Sequence, residues 1–241
     1  MSRANRTTIT LDSKIHAGLN SIYQAGKLTD FTIHVEDKEF KVSKIILASQ
    51  SMYFRHMFLG DWKEAQTTNV RLVDEDPTTI SDMLQYLYSG IYKPTIPGTP
   101  PPPPAPTGIT TVATTAATIP DTSSSSSIEW QKAAIAAHIA QYTAGDMFFI
   151  PPLQHAAELW FSVTLEKVCD NTLLLDVLQE VYTSLPGLRA VTARCMARHI
   201  EALLQDERFK KMMVDVENLA VDVCSAVLSN GAAMRMRMEW D

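Results

Sequence analysis

The side chains able to do covalent chemistry are few and scattered along this 241-residue sequence. Cys195 and His199 stand four positions apart and would share one face of a helix, where a thiol and an imidazole could serve as nucleophile and base. That chemistry also requires a cleft and a group to orient the imidazole, so the pair reads as a chance spacing. The six histidines (His16, His34, His56, His138, His155 and His199) include no two placed to share a metal from one helix, and each reads as a surface or boundary residue. No phosphate-cradling glycine loop, Gly-x-Ser-x-Gly elbow or His-Glu-x-x-His is present. The three cysteines, Cys169, Cys195 and Cys224, are far apart, odd in number and set among apolar helical residues, as reduced core thiols are. The expectation is a protein that is no enzyme, with no cofactor, no metal and no small-molecule substrate.

Composition narrows the class further. A hydrophobic share of 46% supplies a core for one large domain or two small ones. The net charge of -6 and pI near 5.5 argue against nucleic acid, whose binders are normally basic. The N-terminus lacks the apolar stretch of a signal peptide and no run is long enough to span a bilayer. An intracellular protein, cytoplasmic or nuclear, without a membrane partner is expected.

The stretch from Leu28 to Gly90 must position whatever the chain presents. Phe31, Ile33 and Val35 alternate with polar residues along a strand. A charged turn, Glu36-Asp37-Lys38-Glu39, leads to Phe40-Lys41-Val42 as hairpin partner. Ser43 is placed to cap a helix carrying Ile45, Ile46 and Leu47, and Ser51 a second with Phe54, Met57 and Phe58 at helical spacing. Val70 and Leu72 mark a third strand. Asp76-Pro77 then opens a helix whose buried face is Ile80, Met83, Leu84, Leu87 and Tyr88.

These residues resemble a BTB/POZ domain, in particular the compact BTB proteins abundant in fungi. The resemblance rests on Leu28-Thr29-Asp30-Phe31-Thr32-Ile33, on Phe40 to Ala48, on Ser51-Met52-Tyr53-Phe54 with Met57-Phe58, and on Leu84-Gln85-Tyr86-Leu87-Tyr88-Ser89-Gly90. Each piece is short; their order and separation carry the match. Ser43 departs from the family's usual histidine. The implied fold is α+β, BTB/POZ-like: a small, mostly antiparallel sheet wrapped by helices and followed by a small helical extension.

The rest of the chain fits around that unit. Residues 1–11 look frayed, and Asp12-Ser13 can cap a helix bearing Ile15, Leu19, Ile22 and Tyr23. Residues 94–128 hold nine of the thirteen prolines, a Thr/Ala tract and the run Ser123 to Ser127, with Asp121 as the only charge. Such a stretch cannot bury enough apolar surface to stay ordered, so a disordered insertion is expected inside the domain, either a solvated spacer or a ligand for proline-binding modules. Structure should resume at Ile128, with Ile135, Ile139 and Tyr142 on one helical stripe. Tyr142 to Ile150 with Leu153 then resembles the family's closing segment, commonly Tyr, two residues and Ala-Asp-Lys-Tyr, from which Gly145 and Met147 depart. A further helix should bury Leu153, Ala156, Ala157, Trp160 and Phe161. The expected domain covers 12–165, followed by a helical extension over 166–230 and a tail over 231–241. In the extension, stripes over Leu174 to Leu185, Leu188 to Leu203 and Phe209 to Val227 predict three helices.

The resemblance also implies sites. In BTB proteins that recruit the cullin scaffold of ubiquitin ligases, an apolar residue, any residue and a glutamate stand where this chain has Trp62-Lys63-Glu64, and these three with the preceding Phe58 are the expected partner-binding residues. Trp62 either anchors a partner, as tryptophan often does at interface hot spots, or folds back on its own domain. The resemblance places Asp30 and Lys44 in a charged pocket at the dimer interface and the helix of Ile15 and Leu19 within that interface; in a monomer the pair would be a surface pair and the helix a cover for its own sheet. The expected partners are itself or another BTB protein, with a cullin as third protein. The function implied is a dimerising, cullin-type substrate adaptor; the alternative is an oligomeric scaffold or transcription-complex component with no ligase connection.

Overall fold

The computed structural model describes residues 3–60, 66–97 and 125–238, and the side chains of 14–60, 66–97 and 128–229. The insertion expected over 94–128 therefore lies, from 98 to 124, outside the described residues, as does Trp62-Lys63-Glu64. The contacts group the chain into two compact units: Met1–Thr95 with Ala136–Ala157, and Ile96–Ile135 with Glu158–Asp241.

The first unit opens with helix α1 (Arg3–Gln24). It begins well before the Asp12-Ser13 cap expected from the sequence, and residues 3–17 contain no proline or glycine to stop it. Strands β1 (Phe31–Val35) and β2 (Lys38–Val42) form the hairpin, and helices α2 (Lys44–Gln50) and α3 (Met52–Leu59) lead to β3 (Asn69–Leu72). The sheet order is β2-β1-β3, with β1 antiparallel to β2 and parallel to β3. The parallel pairing follows from the crossover through α2 and α3. Phe31, Ile33 and Val35 are buried, as their alternation requires.

Helix α4 (Pro77–Ser89) starts where the sequence marks it: Asp76 Oδ2 accepts the Thr79 N–H at 2.7 Å, and Pro77 occupies the first turn. Ile80, Met83, Leu84, Leu87 and Tyr88 form its buried face. Gly90 ends it in the left-handed region at φ 66, where a Cβ would come within 3.2 Å of the His16 ring. Tyr23 stacks on Tyr88 at 4.3 Å, which fixes α1 against α4.

Helices α5 (Ser125–Met147) and α6 (Pro151–Leu165) follow. Ala144, Phe148, Ile150 and Leu153, around their junction, belong to the same hydrophobic core as the sheet and α4. Gly145 permits that junction, because a Cβ there would lie 2.7 Å from the Gln154 backbone nitrogen. The Tyr92 hydroxyl lies 2.8 Å from His138 Nδ1, which ties the segment after α4 to α5. His138 is buried, not at the surface or boundary as the sequence suggested, and its partner is what makes that burial tolerable.

The second unit is helical: α7 (Asn171–Ser184), a short 3-10 turn (Pro186–Leu188), α8 (Arg189–Arg198), α9 (Ile200–Leu203), α10 (Glu207–Asp215) and α11 (Leu219–Met238). Asp170 caps α7 by accepting the Leu173 N–H at 2.7 Å. Two helices expected to be continuous are broken. The His199 N–H reaches only to Met196 O, a tightened turn that separates α8 from α9, and Asn218 at φ 65 separates α10 from α11. The Tyr182 hydroxyl donates to Asp222 Oδ2 at 2.8 Å, joining α7 to α11.

Two glycines give opposite predictions. Gly145→Ala forces a Cβ onto backbone and should lower unfolding free energy by about 1–3 kcal/mol in urea titration. Gly18→Ala, in α1 with nothing within 4 Å, should raise it by up to about 1 kcal/mol. A third prediction concerns pH. Burial pushes the His138 imidazole from 6.5 down to about 4. The unfolded chain therefore binds the extra proton between those values, so stability is full above pH 6.5 and falls as pH drops toward 4. His138→Gln should remove a slope of up to about 1.4 kcal/mol per pH unit from that window, read by denaturant melts across pH.

Candidate interaction site

Helix α3 has two faces with different duties. Ser51 caps it, accepting the Phe54 N–H at 3.2 Å, and Phe54, Met57 and Phe58 point inward. Phe148 stacks on Phe54 at 5.5 Å and meets Tyr53 edge-on, while Phe58 meets Phe31 edge-on at 4.8 Å. Phe58, expected to touch a partner, is thus a core ring; it fixes the end of α3 rather than facing outward. The outer face carries Met52, Arg55, His56 and Leu59, which with Gly60 line an open depression of about 330 Å³.

Beside this face lies the turn between α5 and α6. The Ser51 hydroxyl donates to Phe148 O at 2.6 Å, and the Met52 N–H points to Phe149 O at 3.4 Å. Phe149 itself adopts φ 49, a left-handed conformation that phenylalanine seldom takes, with its side chain 62% exposed.

Asp30 and Lys44 do meet, but through the backbone. Asp30 Oδ1 accepts the Lys44 N–H at 2.8 Å, while the ammonium donates to Thr67 O at 3.0 Å and lies 5.0 Å from the Phe31 ring centroid. Asp30 therefore satisfies the first turn of α2. Ser43 makes no side-chain cap there, and its N–H donates to the Tyr88 hydroxyl at 2.8 Å. Leu19 packs against the core of its own unit, whereas Ile15 is half exposed. Leu28 and Ile45, two residues before Asp30 and one after Lys44, are 77% and 74% exposed.

The thiol chemistry considered for Cys195 is closed off. Its side chain is buried, donates to Leu165 O at 3.5 Å and is pushed up to about 12 by burial, while His199 caps a helix end. Cys169 and Cys224 are exposed and free, against the expectation of three core thiols, because each sits on an outward position of its segment. Among the described residues no cluster of His, Cys, Asp or Glu could hold a metal, and no helix is long and apolar enough to cross a membrane.

Two features of the site carry little trace in the sequence: the Asp30 cap, made across a hairpin, and the outward Phe149. Only Pro151, which biases Ile150 away from helix, hinted that the backbone must turn there.

Residues 19–98 match the family model of the BTB/POZ domain. Kelch-like protein 15 of Homo sapiens is 38% identical over 79 residues, which is 33% of this chain and 13% of that protein. Kelch-like protein 17 of Homo sapiens is 37% identical over 71 residues, 30% and 11% of the two chains. Kelch-like protein 40a of Danio rerio is 35% identical over 72 residues, 30% and 12%. The chain thus spans only a small fraction of these relatives' length. Among solved structures, the BTB domain of zebrafish PATZ1 aligns with a TM-score of 0.39 at 14% identity, covering 61% of this chain and 87% of that one. Residues 19–98 form a BTB/POZ domain, a non-enzymatic protein-interaction module.

The cap geometry yields a prediction. Asp30→Ala should lower stability by about 1 kcal/mol through loss of the α2 cap, measured by thermal melting, whereas Ser43→Ala, with no cap bond to lose, should change it by a few tenths at most.

Proposed function

We propose that this chain is a BTB adaptor that pairs with itself or another BTB chain and docks a cullin-class scaffold. The domain would span 12–165 around the insertion at 94–128, with residues 166–230 as the helical extension of the compact fungal type and 231–241 as a tail. The protein would act inside the cell, in cytoplasm or nucleus. The observation that carries the reading is the pair of exposed aliphatic side chains, Leu28 and Ile45, on either side of the Asp30–Lys44 link. Exposed apolar side chains set beside a fixed helix cap suit an interface that is covered on pairing. The cullin step is supported by the place of Trp62-Lys63-Glu64 in the sequence, shortly after α3 ends at Leu59.

Light scattering should give a dimer at micromolar concentration, burying roughly 1,600 Å². Ile45→Asp should convert it to monomer without unfolding. A cullin N-terminal region should be retained on wild-type protein and lost on Glu64→Lys. A strict monomer sinks the pairing step. A dimer that captures no cullin region, or that captures it equally with Glu64→Lys, sinks the adaptor step and favours the scaffold reading.

A further inference from the structure

Residues 91–95, the strap that follows α4, are held by side chains. Among the described residues this strap makes no backbone-to-backbone hydrogen bond. Ser89 Oγ accepts the Ile91 N–H at 3.0 Å, and the Tyr92 hydroxyl lies 2.8 Å from His138 Nδ1. Thr95 gives its N–H and its hydroxyl to the two Asp82 oxygens at 2.5 and 2.8 Å. One tie therefore runs to α5 and another to α4. A segment without ladder bonds opens at a lower free energy than the helices that hold it.

The tie to α5 depends on a proton. His138 is buried, and the Tyr92 ring stacks on it at 5.8 Å. An imidazole with its proton on Nε2 accepts the Tyr92 hydroxyl at Nδ1. A second proton removes that acceptor and leaves a cation shut away from water. Burial alone brings the imidazole down to about 4, with no neighbouring charge to offset it. The titratable groups around this seat are His138 on α5, Tyr92 on the strap, Asp82 on α4 and Asp76 at its cap. Burial and Asp82 raise the Tyr92 hydroxyl, so it keeps its proton. Asp82 works against His138. Burial and Asp76 raise its carboxyl against the pull of the two Thr95 bonds, so the closed strap takes up that proton more readily than the open one.

Gln141, one turn from His138, leaves the seat incompletely paired. Its amide N–H donates to Thr79 O at 2.9 Å, but its buried Oε1 has no partner among the described residues. Water reaching this part of α5 would satisfy both that oxygen and a charged His138, which lowers the cost of opening.

We propose that residues 91–95 form an acid-released strap: a proton taken up by His138 lifts the strap from α5 while the sheet and α4 stay folded. The device is independent of the pairing and cullin steps.

The test is hydrogen exchange on the full chain between pH 7 and pH 4.5, corrected for intrinsic rates and read at the Ile91 and Thr95 amides. Their protection should fall about tenfold per pH unit below pH 6.5, roughly a hundredfold in all by pH 4.5. Amides of β1 and α4 should remain at least about a hundredfold better protected than the strap at every pH. His138→Gln should make the strap's protection independent of pH in this range. Asp82→Asn should open the strap more at pH 7 and keep the fall below pH 6.5. Strap amides indifferent to pH, or exchanging only together with β1 and α4, overturn the proposal. So does a fall that persists in His138→Gln or vanishes in Asp82→Asn. Should His138→Gln fail to fold, the NMR titration of the His138 ring in the wild type decides: proton uptake that moves the Thr95 amide resonance supports the strap, and uptake that leaves it unmoved overturns it.

Discussion

A single buried hydroxyl joins two stretches of chain 97 residues apart: Ser51 Oγ donates to Phe148 O at 2.6 Å while also capping α3 through the Phe54 N–H. A buried donor or acceptor left unpaired is expensive, so the two ends of this contact must come together for either to be satisfied. With them comes the Phe148 ring, stacked on Phe54 and edge-on to Tyr53. The capped helix, the closing turn and the aromatic cluster are therefore one arrangement. The parts of the chain before and after residues 98–124 share one core, where Ala144, Ile150 and Leu153 pack with the sheet and α4.

The same arrangement explains why the outside of the first unit has the character it has. Residues that hold α3 in place face inward, which leaves Met52, Arg55, His56 and Leu59 outward as a rigid strip rather than a mobile loop. Asp30 performs a parallel task at the start of α2, where it pins the end of the first strand to a helix and leaves Leu28 and Ile45 exposed beside it. The thiol nearest to a histidine in sequence, Cys195, is buried and held protonated. A BTB/POZ domain acts by presenting such surfaces, and the family match covers residues 19–98 of the chain.

Periodic features were legible from sequence, and compensating features were not. The alternation of Phe31, Ile33 and Val35 and the spacing of Ile80, Met83, Leu84, Leu87 and Tyr88 follow from local geometry, and both face the core as that geometry demands. Asp76-Pro77 and Ser51 act as caps because a cap is a local event. Ser43 had the right residue type for the same duty, but an aspartate on a neighbouring strand end took the helix N–H instead, and no window of sequence contains that competition. Gly145 looked like a small departure from the family pattern; in three dimensions it is the point where the α6 backbone comes too near for a Cβ. The breaks at His199 and Asn218 lie inside apolar patterns that continue across them, so periodicity alone joined α8 to α9 and α10 to α11. Phe149 was invisible for the opposite reason: its conformation is dictated by what its neighbours bury, against its own preference.

The account depends on residues 144–153 being an integral part of the core built by residues 31–88. Native-state hydrogen exchange on the full chain measures this directly, through the opening free energies of amides in β1, α4 and residues 144–153, with and without Phe148→Ala. The account predicts that all three regions open together at one free energy and that the substitution lowers all three by the same amount. Exchange of residues 144–153 at a much lower free energy, with β1 and α4 untouched by Phe148→Ala, would contradict it.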